Sequence, residues 1–153
     1  MVEIPIKCFA VSMVILRKTA KSRKVLLLRR TGTLRGEWCQ IAGAIEAGET
    51  AWRAALRETT EETRLVPGEL YSADICEQFY EADRDAISML PVFVGFVDGH
   101  QKVVLNEEHS HYCWVSFKKA LSLVPFAGQR TVLRHIEAEF IVRSPSPYLK
   151  IEH

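Results

Sequence analysis

Glu58, Glu61 and Glu62 stand at i, i+3 and i+4, a spacing that puts three carboxylates on one face of any helix formed there. Like charges placed so close repel, and such a helix gains from a bound cation. Mg²⁺ is the hard cation that takes carboxylate oxygens and brings substrate phosphates with it. Residues 43–65, GAIEAGETAWRAALRETTEETRL, add Arg57 and a fourth carboxylate, Glu49. A Glu-rich helix face is most often simply solvated. The setting argues otherwise: Gly43 and Gly48 make a turn ahead, Glu49-Thr50 gives an acidic start with a capping hydroxyl, and Ala51, Ala54, Ala55 and Leu56 form an apolar face. The stretch reads as a site of metal-dependent phosphate chemistry.

These residues resemble the signature of the Nudix hydrolases, G-x5-E-x7-R-E-U-x-E-E-x-G-U, with U a bulky aliphatic residue. Gly43, Glu49, Arg57, Glu58, Glu61, Glu62 and Leu65 fall in register. Thr59 stands where an aliphatic residue is usual, and Arg64 where glycine usually ends the helix. A non-glycine left-handed cap costs roughly 1 kcal/mol. The resemblance runs over residues 8–142. Ile41-Ala42-Gly43 before the helix, and Glu107-Glu108-His109 followed by Tyr112 and Trp114, are similar to the branch of dATP and dihydroneopterin triphosphate pyrophosphohydrolases.

The resemblance implies a Mg²⁺-dependent pyrophosphohydrolase, with Mn²⁺ able to substitute, that cleaves a nucleoside or pterin triphosphate to monophosphate and pyrophosphate. Two alternatives stay open: a dinucleoside polyphosphate hydrolase, which Tyr80 favours slightly, and a non-catalytic Nudix-fold nucleotide sensor. The implied metal ligands are Glu58, Glu61, Glu62, the Gly43 carbonyl and, from outside the helix, Glu108. Arg57 is expected to orient carboxylates with Glu49 as its partner, and Glu58 or Glu61 to serve as general base. Arg29 and Arg30 follow a buried strand, so one is expected at a phosphate and the other exposed. Trp38 and Tyr80 are the candidate base contacts, although a Trp before a core strand is more often packing. His109 and His111 carry little weight on sequence alone.

Several elements must position these groups. Val, Ile, Phe and Cys content predicts a strand over residues 4–16, a basic turn over 17–24 and a partner strand over 25–30. A loop over 31–37 leads to a short strand over 38–42, and the helix spans 50–63 until Pro67-Gly68 breaks the pattern. Strands are predicted over 70–80, 87–97 and 111–115, with a turn beginning at Asp98-Gly99 before Val103-Val104. A short helix over 117–123 and a closing helix over 127–142 complete the chain. This order gives an α+β fold, a Nudix-type α/β/α sandwich with a mixed β-sheet. One domain over 1–143 is expected, with 144–153 an extended tail, since Ser144-Pro-Ser-Pro147 cannot continue a helix.

At 153 residues the chain can bury a self-sufficient core, and 48% hydrophobic with 25% charged residues is ordinary for a globular protein. A net charge of +1 gives no pull toward nucleic acid or anionic membrane, so the expected partner is a small nucleotide, bound by a monomer or homodimer. Cys8, Cys39, Cys76 and Cys113 form no paired motif and suit reduced thiols. With no visible signal peptide, the expected location is cytoplasmic.

Overall fold

Residues 11–16, VSMVIL, send successive side chains to two different cores. In the computed structural model, which describes residues 1–153, Val11, Met13 and Ile15 pack with Ala54, Ala55 and Leu65. Val14 and Leu16 join Phe117, Val132 and Leu133 on the opposite side. A strand buried on both faces needs a cover on each.

The strands are β1 (Ile6–Lys7), β2 (Ala10–Lys18), β3 (Arg23–Arg30), β4 (Trp38–Cys39), β5 (Ile41–Ala44), β6 (Glu69–Glu81), β7 (Ala86–Val97), β8 (His109–Val115) and β9 (Lys150–Ile151). The helices are α1 (Ala51–Thr63), α2 (Phe117–Leu123) and α3 (Ala127–Ile136). All strands share one sheet whose main order is β4-β3-β2-β7-β6-β9, with β5 added to β2 and β8 to β3. β2 runs parallel to β7 and antiparallel to β3, so the sheet is mixed. α1 covers one face and α2 and α3 the other. The α+β sandwich expected from the sequence is the architecture observed.

The differences are local. The strand expected over 4–16 is broken at Cys8 and Phe9. Both halves pair with β7, Ile6 opposite Ile87 and Ser12 opposite Val92. Six steps on one strand thus face five on the other, and the chain must swing out between them. The strand expected over 38–42 is split at Gln40, because β4 pairs with β3 and β5 with β2. Val103-Val104 forms no strand, although the Val104 N–H donates to the Thr63 carbonyl at 2.9 Å. The closing helix is α-helical to Ile136 and π-helical over Glu137–Val142. The tail forms a turn of 3-10 helix at Pro147–Leu149, then β9 pairs Ile151 with Leu70. No helix is long and apolar enough to cross a membrane.

Candidate active site

The turn into α1 forms as its residues require. Gly48 has φ 84, Glu49 Oε1 accepts the Glu46 N–H at 2.7 Å, and the Thr50 hydroxyl caps α1 by accepting the Arg53 N–H at 3.4 Å. At the other end Arg64 takes the left-handed conformation, φ 63, and its N–H reaches the Thr60 carbonyl at 2.9 Å. The cap is kept without the glycine.

Arg57 is the centre of one cluster. Its Nε and Nη2 donate to the two Glu49 oxygens at 3.2 and 2.6 Å. Nη1 donates to Glu58 at 2.7 Å and Glu61 at 3.3 Å, and Nη2 also to the Ala44 carbonyl at 2.8 Å. The forked pair with Glu49 sets the guanidinium plane. The Arg57 hydrogen bond holds the Glu49 carboxyl below its ordinary range, and Glu49 in turn raises Arg57. Gly43 lies directly beneath Glu58, where an added Cβ would overlap the Glu58 carboxylate. A side chain at this position would force Glu58 out of its place beside Arg57.

Glu62 stands apart from this cluster. Its residue is 2% exposed, and burial, then the charges of Glu108 and Glu58, push its carboxyl up to about 9 while Arg30 opposes the shift. Glu62 Oε2 and His109 Nδ1 lie 3.9 Å apart, too far for a hydrogen bond, and neither has a partner in the chain. Glu62, Glu108 and His109 bring ligand atoms within 4.8 Å of one another. Two orphaned buried atoms facing an adjacent carboxylate suit a divalent cation, since its charge would offset their desolvation. The Thr31 hydroxyl donates to the Glu107 carbonyl at 2.8 Å, and the Thr31 N–H to the Glu108 carbonyl at 3.1 Å. These bonds tie the loop before β8 to the end of β3. His109, discounted on sequence, is thereby buried in the site. The signal available was its place beside Glu108 at the start of a core strand.

The cleft has two connected parts, one of about 350 Å³ containing Glu62, Glu108 and His109, and one of about 800 Å³ toward Phe79, Tyr80 and Phe126. Arg30, Cys39, Gln40 and Ala42 line both. Arg30 is thus the arginine at the cleft, its Nε held by the Thr33 carbonyl at 2.8 Å. Arg29 instead donates to the Gly36 carbonyl at 3.0 Å and is not part of the lining. Trp38 packs with the core beneath α2 and α3, as a structural Trp does. Tyr80 lines the larger part, with its hydroxyl donating to Asp85 at 2.8 Å. Gln40, Glu77 and Phe126, not singled out as site residues on sequence, line it too.

Compared with known families, residues 7–136 match the NUDIX domain. The chain is 29% identical over 131 residues to the bis(5'-nucleosyl)-tetraphosphatase (asymmetrical) of Caenorhabditis elegans, covering 84% of this chain and 94% of that protein. A crystal structure of a C. elegans Ap4A hydrolase binary complex superposes with a TM-score of 0.73 at 26% identity, covering 84% of this chain and 94% of that one. The nucleoside triphosphatase NudI of Escherichia coli is 30% identical over 92 residues, 55% of this chain and 64% of its own length.

Proposed function

The chain belongs to the Nudix family and is a Nudix hydrolase, and we propose that it cleaves a dinucleoside polyphosphate with Mg²⁺ as cofactor. The observation that carries this reading is the cleft itself, where a carboxylate-lined part with orphaned buried atoms opens into a larger part bearing Phe79, Tyr80 and Phe126. Phosphates would lie beside Arg30, and a base would stack among the aromatics. We assign metal binding to Glu58, Glu61, Glu62, Glu108 and the Gly43 carbonyl. The bound cation supplies charge neutralisation of phosphate oxygens and a lowered pKa for a water. Arg57 holds Glu58 and Glu61 through one nitrogen, so the carboxylate that takes the water's proton is oriented before substrate arrives. Likeness over 94% of the C. elegans tetraphosphatase supports this substrate.

A second reading is a nucleoside or pterin triphosphate cleaved to monophosphate and pyrophosphate. The likeness to NudI over part of both chains supports it. Product analysis separates the two. With Mg²⁺ and the diadenosine and diguanosine tetraphosphates, the expected products are the matching nucleoside triphosphate and monophosphate, with no turnover by Glu61→Gln. Pyrophosphate and a monophosphate from a triphosphate, with both dinucleotides untouched, would move the assignment to the second reading. No turnover of either class would overturn both.

A further inference from the structure

Beneath the aromatic part of the cleft runs a chain of buried amides that ends on a carboxylate. Gln129 Nε2 donates to Gln40 Oε1 at 3.2 Å, and Gln40 Nε2 donates to Ser12 Oγ and to Glu77 Oε2, each at 2.9 Å. Gln129 Oε1 is itself fixed by the Phe126 N–H at 3.1 Å. Gln40, Glu77 and Gln129 are each only 7% exposed, and Ser12 is fully buried. Each amide's orientation is set by its neighbour, so Gln40 meets Glu77 as a donor. Glu77 Oε1 makes no hydrogen bond in the chain, yet it is not among the sealed orphan atoms, and Glu77 lines the cleft. Gly128 leaves room above it: an added Cβ would approach Glu77 Cγ to 3.9 Å.

We infer that Glu77 reads the substrate's nucleobase through N–H donors on its pairing edge, which makes guanine the preferred base. This rests on the nucleotide reading above. Burial pushes the Glu77 carboxyl up, while the Gln40 amide donating to it favours the ionised form, which offers only acceptors. Guanine presents N1–H and an exocyclic N–H side by side, hypoxanthine presents N1–H alone, and adenine sets an acceptor beside its amino group. Adenine can offer its amino group to Oε1 but then turns its N1 lone pair toward the same carboxylate, and two buried acceptors face to face disfavour that base. Stacking on Phe79, Tyr80 or Phe126 tolerates any base, so discrimination falls to Glu77.

Calorimetric binding of α,β-methylene analogues of GTP, ITP and ATP in Mg²⁺ tests this without turnover. The expected order is guanine, hypoxanthine, adenine, with roughly tenfold or more between first and last. Glu77→Gln keeps an acceptor for Gln40 and gains a donor toward the base. It is expected to weaken the guanine analogue roughly tenfold or more and to strengthen the adenine one. Equal affinities in the wild type, or equal losses for all three in Glu77→Gln, would overturn the base reading and leave nucleotide hydrolysis standing. Failure of every analogue to bind, together with no turnover of a dinucleoside tetraphosphate, would remove both.

Discussion

The two ends of the glutamate face on α1 are in opposite states. Around Arg57 each carboxylate has a hydrogen-bond partner within the chain, with Glu49, Glu58 and Glu61 all accepting from one guanidinium. Less than two turns away, Glu62 and His109 are buried with atoms that nothing in the chain satisfies. The first cluster is positioned by the chain's own arginine, so Glu58 and Glu61 should keep their geometry with or without a metal. The second is incomplete as folded and should behave as a binding site. Net charge alone does not separate them, because both are rich in glutamate. What separates them is direct bonding: Arg57 donates to its carboxylates, whereas Arg30 acts on Glu62 only through its charge and leaves Oε2 without a hydrogen bond.

The strongest way to break this contrast is Glu62→Gln. Loss of several kcal/mol of charge stabilisation corresponds to a fall in kcat/KM on the order of a thousandfold. The metal-free protein should meanwhile become more stable, by roughly 1 kcal/mol or more, because folding no longer has to protonate a buried acid. Activity assays beside denaturant unfolding without metal check both halves. A variant that loses activity and metal-free stability together would mean that Glu62 is structural.

Gly43→Ala attacks the other cluster through packing. The new methyl meets the Glu58 carboxylate, so we expect destabilisation of about 1–3 kcal/mol with a loss of activity. Thermal unfolding would read it, and wild-type stability would show that the Glu58 side chain can move aside without consequence.

Arg57→Met should cost less stability, about 1 kcal/mol at most, because the ion pairs are partly solvated. Its pH dependence sharpens the comparison. Glu49 is held below its ordinary 4.5 chiefly by the Arg57 hydrogen bond. The stability it contributes is therefore complete above pH 4.5 and is lost as pH falls through its lowered value. Wild type and variant should differ at neutral pH and converge in acid, as chemical denaturation at descending pH would show. A gap that does not close would point to packing of the arginine stem.

The smallest effect concerns the floor of the incomplete pocket. Cys39 Sγ lies 3.8 Å from His109 Nε2, and burial pushes its thiol up to about 11. Iodoacetamide should label exposed Cys8 and Cys76 well before Cys39, by roughly a hundredfold in rate if thiolate fraction alone decides. Peptide mapping over time would check the order.

How much of this was legible depends on distance along the chain. α1 could be bounded within a residue because Thr50, the alanine face and the glutamate face all lie inside one short window. Even the Arg64 exception proved local, a backbone preference met at modest cost. Glu108 was legible through a resemblance, whereas His109 gained its meaning only when β8 paired with β3 and faced α1. The Gln40–Glu77 and Gln40–Gln129 bonds join residues 37 and 89 positions apart, and no periodicity reports such a pairing. The break at Cys8 and Phe9 is likewise a register conflict on β7, invisible within residues 4–16.

The larger part of the cleft takes none of its lining from α1. Its walls come from strands, the loop after β3 and the start of α3, while the glutamates sit on a helix that contributes only to the smaller part. Descent with modification can therefore rewrite which nucleotide is admitted without disturbing how it is cut. The same separation tells a protein engineer where to randomise and where to leave the chain alone.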